Sequence, residues 1–143
     1  MTFNLILDAS KVAGDITTVA SKVIKKVTYD VQATIVDRIR LGPKTGRIYK
    51  RRRKGKAGKR KGAKAFIFHQ ASAPGESPAT DWGTLIGSIS VTPFVNPLVG
   101  EIEISASYAA YLELGAPRAH LEPRPFIKPA IEDVIKRAQA GGY

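Results

Sequence analysis

"TGRIYKRRRKGKAGKRKGAKAFIFHQ", residues 45–70, sets two short β-prone segments on either side of a dense cationic run. Ten of the fifteen residues from 50 to 64 are Lys or Arg, and none is acidic. Ile48 and Tyr49 precede the run, Phe66, Ile67 and Phe68 follow it, and Gly55, Gly58 and Gly62 interrupt it. β-branched and aromatic residues bounded by glycine read as strands joined by a turn. The stretch therefore predicts a β-hairpin whose tip is a long, flexible basic loop within residues 44–64. An address signal or a nucleic-acid-binding tail would fit the run alone, but ordered-looking sequence continues on both sides of it.

The charge is confined to this segment. The 143 residues carry 23 Lys and Arg against 12 Asp and Glu, a net of +11. Residues 44–64 hold twelve of those cations, and there is no acid between Asp37 and Glu76. The remainder, 11 basic against 12 acidic residues, has a net charge of −1. An apolar content of 43% with 8% aromatics suits a folded chain, and the length suits a single domain over residues 1–143. With no cysteine, disulfides and thiolate chemistry are excluded. The start, "MTFNLILDAS", lacks a basic segment ahead of its short apolar stretch, so no secretory signal is expected. No apolar run approaches the roughly 20 residues of a membrane span. A soluble protein made in a cytoplasm is expected.

Around the hairpin, the spacing of apolar residues gives the other elements. "TFNLIL", residues 2–7, reads as a short first strand, and Asp8 and Ser10 offer helix caps. Positions 16, 19, 20, 23, 24, 27, 31, 35 and 39 are apolar, a helical period with one stripe to bury. Gly42-Pro43 ends it. "ASAPGESPATDWG" is a connection, and "TLIGSI" gives one or two helical turns. "SVTPFVN" and "GEIEISAS" read as two strands, with Pro93 demoting the first to an edge or a bulge. Ile102 and Ile104 alternate with Glu101 and Glu103, one face dry and one wet. "YAAYLELG" is a short helix stopped by Gly115, and "APRAHLEPRPF" a loop. "PFIKPAIEDVIKRAQAGG" is a last helix started by Pro125 and ended by Gly141-Gly142. Its expected apolar face is Ile127, Ile131, Val134, Ile135 and Ala138. The order predicts an α+β domain, a mostly antiparallel sheet packed against a long N-terminal helix and a C-terminal helix.

Little of this suggests catalysis. Glu101 and Glu103, two apart on one strand face, are solvating carboxylates rather than an acid/base pair facing across a cleft. His69 and His120 have no acid or nucleophile at a recognisable spacing, and Asp81 near His69 makes at most two metal ligands. No phosphate-binding loop, dinucleotide glycine motif or paired-histidine zinc helix occurs. The chain is not expected to be an enzyme or to need a cofactor or metal. Tyr108 and Tyr111, beside small Ala109 and Ala110, suit either core packing or a subunit contact. Helix initiation leaves Arg124 unexplained; it is free to pair with Glu113 or a neighbouring subunit.

Three stretches in order, "HQASAPGESPATDWGTLIGSI" (69–89), "VGEIEISASYAAYLELG" (99–115) and "RPFIKPAIEDVI" (124–135), together resemble the tail-component family of long-tailed phages, its neck, tail-completion and head–tail joining proteins. The resemblance runs from about residue 45 to 134. It rests on Ala71-Ser72, Pro74-Gly75-Glu76, Pro78-Ala79, Gly83, Leu85 and Ser88-Ile89. Tyr108, Ala109, Glu113 and Gly115 follow, then Arg124, Pro125, Phe126, Pro129 and Ala130. It implies a virion structural protein, assembled in a bacterial host cytoplasm, that forms a homo-oligomeric ring of six copies. Such a ring completes the tail or joins it to the head, whether at the neck, tail-completion or tail-terminator level, and lets DNA pass. Neighbouring neck and tail proteins are its implied partners, and no membrane is involved.

The basic run is longer and denser than this pattern requires, and its role is a physical expectation. Six copies of the twelve-charge segment would set about 72 positive charges around one axis. Packaged double-stranded DNA, met through its phosphates, and an acidic surface on a neighbouring virion protein both suit such a ring, as does a solvated loop that keeps subunits soluble. The residues that would meet DNA or a partner are Lys50, Arg51, Arg52, Arg53, Lys54, Lys56, Lys59, Arg60, Lys61 and Lys64. Tyr108, Tyr111, Glu113 and Arg124 are the candidate subunit contacts. A standalone basic nucleic-acid-binding module is the alternative function.

Overall fold

The first helix is longer than its apolar spacing implies. A computed structural model describes residues 9–52 and 66–142, in which α1 spans Ala9–Leu41. The ribbon strands β1 (Ile48–Arg52) and β2 (Phe66–Gln70) follow, then α2 (Thr84–Gly87), β3 (Ile89–Val91) and β4 (Ile102–Ile104). Two further helices, α3 (Ala109–Leu114) and α4 (Ile127–Gln139), close the order, with a 3₁₀ turn at Pro117–Ala119 between them. The expected strand at residues 2–7 lies outside the described residues. The fold is α+β, as the sequence predicts, but the strands form two separate two-stranded antiparallel ribbons, β1–β2 and β3–β4.

Only the C-terminal end of the α1 stripe is buried. Ile35 and Ile39, one turn apart, are almost fully covered, whereas none of residues 13–27 is buried. Ile16 and Val19 keep 63% and 61% of their surface exposed. The apolar period makes a helix here, but a period cannot say how much of its stripe the same chain covers. On the exposed part, Thr17 and Thr18 hydroxyls donate to the Ala13 and Gly14 carbonyls four residues back, both at 2.9 Å.

The core forms where the C-terminal half of α1 meets α4 and the β3–β4 ribbon. Ile35, Ile39, Leu85, Ile89, Ala109, Phe126 and Ala130 make one cluster, with Ile102, Ile104 and Leu112 packed against it. On α4 the buried line is Ala130 and Val134, continuing from Phe126 just before the helix. The expected face is met in part: Val134 is buried and Ile127 packs against the core, whereas Ala138 is exposed and Ile131 and Ile135 remain 40% and 50% exposed. Residues 126, 130 and 134 recur every four positions and stack toward α1, which leaves Ile131 and Ile135 on the more exposed side. At the edge of this contact Arg38 reaches Asp133 at 2.5 Å. The pair is partly exposed, so packing contributes more here than charge.

The last helix does not begin at Pro125. Phe126 occupies the cap position and α4 starts at Ile127, which leaves Pro129 inside the first turn, where a missing N–H costs little. Nor is the stretch before it plain loop: Ala116 and Leu121 bridge in antiparallel fashion around the 3₁₀ turn. Gly115 ends α3 at φ 81 and ψ 170, a conformation suited to glycine. A side chain there would press on Pro123 and the Leu121 carbonyl.

Candidate functional site

The β1–β2 ribbon gathers residues that are distant in sequence. Its register pairs Ile48 with Gln70, Lys50 with Phe68 and Arg52 with Phe66, while Tyr49 and Arg51 stand opposite His69 and Ile67. Alternation puts Phe66 and Phe68 on one face and Ile67 and His69 on the other. The phenylalanine face is open: Phe68 is 71% exposed, and Ile48 is 60% exposed on the same side. Lys50 Nζ lies 4.3 Å from the centre of the Phe66 ring, within cation–π range. Arg47 sits over Tyr49 in the same manner, at 5.5 Å. Within the linear run there is no aromatic residue; strand pairing supplies one by bringing "AFIF" alongside "YKRR". Phe66 and Phe68 are therefore site residues that a reading of the run alone misses, although their alternation with Ile67 signals them.

Of the ten basic positions expected to meet DNA or a partner, Lys50, Arg51 and Arg52 belong to β1 itself. Arg53, Lys54, Lys56, Lys59, Arg60, Lys61 and Lys64 lie outside the described residues.

The ribbon is anchored at its base rather than along its face. Gly46 N–H donates to Ala71 and Ala71 N–H to Arg47, both at 3.0 Å, extending the pairing beyond the strands. Below them the Glu76 carboxylate accepts from Thr45 N–H at 3.0 Å, Thr45 Oγ1 at 2.5 Å and Ala73 N–H at 2.7 Å. Those bonds hold Glu76 below its ordinary value of 4.5, the Thr45 hydroxyl first among them, with the Lys44 charge adding a little. Lys44 itself is lowered by burial, which the Glu76 charge partly offsets.

The four candidate subunit contacts divide. Tyr108 and Tyr111 are 41% and 59% exposed. Glu113 is engaged within the chain, accepting the N–H groups of Phe126, Ile127 and Lys128 at 2.8, 3.0 and 2.9 Å. Arg124 does not pair with it. Its Nε donates to the Ser72 carbonyl at 3.3 Å and its Nη1 to the Glu122 carbonyl at 3.4 Å, while its backbone N–H donates to Leu112 at 2.7 Å.

Tyr108 and Arg124 also line a cleft of about 350 Å³ with His69, Asp81 and the exposed Trp82. Among the described residues no three His, Asp or Glu side chains gather closely enough to hold a metal ion. Glu101 and Glu103 face solvent, as the alternation of their strand predicts. No described helix is long and apolar enough to cross a membrane.

Comparison with protein-family models, with curated proteins and with solved structures finds no match to this chain.

Proposed function

We propose that the chain is a structural ring subunit of the head–tail junction of a long-tailed phage, with no catalytic role. The observation that carries this is how the three stretches behind the family resemblance interlock. Glu113, from the second, caps the helix that opens with the third. Arg124, from the third, bonds Ser72 in the first, and Gly75 N–H, also in the first, donates at 2.9 Å to Pro123, the residue just before the third. The signature residues thus form a scaffold, which is the use a structural family would have for them.

Surface composition supports the same reading. Eight hydrophobic residues are buried among the described ones, while eighteen large hydrophobics stay exposed. So many large apolar side chains left on the surface suit a chain that associates. The cationic ribbon then faces a polyanion through phosphate attraction, with no reading of bases.

Light scattering on the purified protein, alone and with partner tail proteins, combined with double-stranded DNA binding across a salt series, tests the proposal. A ring, formed alone or with those partners, with weak and salt-sensitive DNA binding is the expected result. Cryo-electron microscopy of assembled particles would then find its density between head and tail. A monomer that binds DNA tightly would overturn the ring in favour of a standalone nucleic-acid-binding module, the reading that the Lys50–Phe66 face favours.

A further inference from the structure

Each ribbon has an outer edge with no strand paired to it among the described residues, and the two edges differ in charge. In β1–β2, Ala71 N–H donates to the Arg47 carbonyl. With Tyr49 opposite His69 and Arg51 opposite Ile67, antiparallel alternation spends the backbone groups of residues 49 and 51 on β2. Those of Ile48 and Lys50 therefore point away from it. In β3–β4, Ser105 N–H donates to Ser88 and Thr92 N–H to Glu101, both at 3.0 Å. The same alternation turns the backbone groups of Ile102 and Ile104 outward from β4. An open groove of about 780 Å³ runs beside these two residues.

We infer that β1 of one copy adds as a third, antiparallel strand to β4 of the next copy, with Ile48 opposite Ile104 and Lys50 opposite Ile102. In an antiparallel pair the residues whose backbone groups meet stand opposite one another and share a face. Exposed Ile48 thus joins the dry face of Ile102 and Ile104, while Tyr49 falls opposite Glu103 and Arg51 opposite Glu101. Sliding β1 by two residues loses this match. In one direction Ile48 passes the end of β4; in the other Lys50 comes to Gly100, against which Thr28 is packed.

Charge selects a second copy as the occupant. Glu101 and Glu103 are exposed, and no described residue pairs with either carboxylate. Arg47 is exposed and lies 5.5 Å from the centre of the Tyr49 ring, diagonal to the Glu103 position and within reach of a long side chain. A strand reading Arg47-Ile48-Tyr49-Lys50-Arg51-Arg52 repels its own kind, as does the acidic β4, so only unlike edges match. Main-chain bonds supply the attachment, and the alternating side chains set its register. Every copy carries one edge of each sign, so the contact runs head to tail, the kind that generates rings. The inference deepens the ring reading and rests on it only for the presence of neighbouring copies.

Because the chain has no cysteine, cross-linking can test the register directly. Tyr49→Cys and Glu103→Cys proteins, prepared separately and mixed under mild oxidation, should give a disulfide-linked heterodimer. Such a pair sets its Cα atoms about 4.5 Å apart, within disulfide reach. Lys50→Cys mixed with Glu103→Cys, on opposite faces, should give far less. Arg47→Glu and Glu103→Arg should each weaken self-association about tenfold or more by sedimentation, with folding checked by circular dichroism. The protein carrying both reversals should recover it. A Tyr49→Cys and Glu103→Cys mixture without heterodimer, or single reversals that associate as the parent does, overturns the strand pairing even if rings form. A cross-linked pair that closes on itself at two copies upholds the pairing and overturns the ring.

Discussion

Glu113 on α3 and Phe126 at the start of α4 are joined by a hydrogen bond of 2.8 Å from the Phe126 N–H to the Glu113 carboxylate. The same carboxylate takes the next two N–H groups, so one side chain satisfies three of the donors that a helix start leaves open. Negative charge at that end also complements the helix dipole. The bond matters because Phe126 is fully buried, and its ring enters the core only if the chain turns into α4 at this point.

Replacing Glu113 by Ala should therefore lower stability by about 2 kcal/mol, the scale of losing a cap with charged hydrogen bonds. Glu113→Gln keeps an acceptor oxygen without the charge and should fall between the two. Thermal or urea melts of the three proteins measure the order. Equal midpoints for all three would show that α4 starts without this cap.

Gly100 gives a second prediction. Its missing Cβ leaves the space that the Thr28 side chain occupies, and an added methyl would overlap Thr28 Oγ1. Thr28 cannot easily yield, since it is β-branched, 7% exposed, and its hydroxyl donates to the Ile24 carbonyl at 2.7 Å. Gly100→Ala should cost about 1–3 kcal/mol by overpacking. Adding Thr28→Ala should recover much of the loss, and a double-mutant cycle that shows no coupling would contradict the contact.

These contacts mark where the sequence could be read and where it could not. The hairpin around the basic run, the helix stopped by Gly115 and the wet face of Glu101 and Glu103 follow from local period and turn chemistry, and each is present. Burial does not follow, because Ile16 and Ile35 occupy the same helical pattern and only the fold decides which is covered. The α4 face is only partly legible for a related reason. Val134 and Ile127 pack as expected, but Ile131 and Ile135 stay exposed because the helix turns its line of Phe126, Ala130 and Val134 toward α1. Glu113 as a cap was not legible either, since its partners lie 13 to 15 residues away and no local motif announces them. At the candidate site, the basic residues were evident from composition, while the open face of Phe66 and Phe68 required the strand register.

Acid should loosen the base of the ribbon. Glu76 is held below its ordinary value by bonds made only in the folded chain. Its contribution is therefore fully present above the ordinary glutamate range and is lost as pH falls through the lowered folded value. Proton exchange or Tyr49 fluorescence should report loosening near Thr45 and Ala73 as pH drops below 4.5. Glu76→Gln should make the parent's neutral-pH ribbon behave like the acid form. If the ribbon signals of parent and variant respond identically across that range, the carboxylate is not its clasp.

The basic ribbon gives the last prediction, because it separates folding from binding. Arg51 and Arg52 pair through their backbones with Ile67 and Phe66, so their contribution to the ladder does not depend on their side chains. Replacing Arg51, Arg52 and Arg53 by Ser should leave a cooperative melt with an unchanged midpoint; loss of that melt would make the run structural. For a duplex-DNA contact, deleting three cations should flatten the dependence of log affinity on log salt by about 2.7, at roughly 0.9 per phosphate contact. Phe68→Ala is the companion variant. At 71% exposure its ring contributes little to the core, so stability should hold. With duplex DNA the salt slope should also hold, since phosphate attraction needs no ring. A large loss of single-strand affinity in Phe68→Ala would instead identify stacking as the main contact and shift the ribbon's partner from packaged duplex to single-stranded nucleic acid.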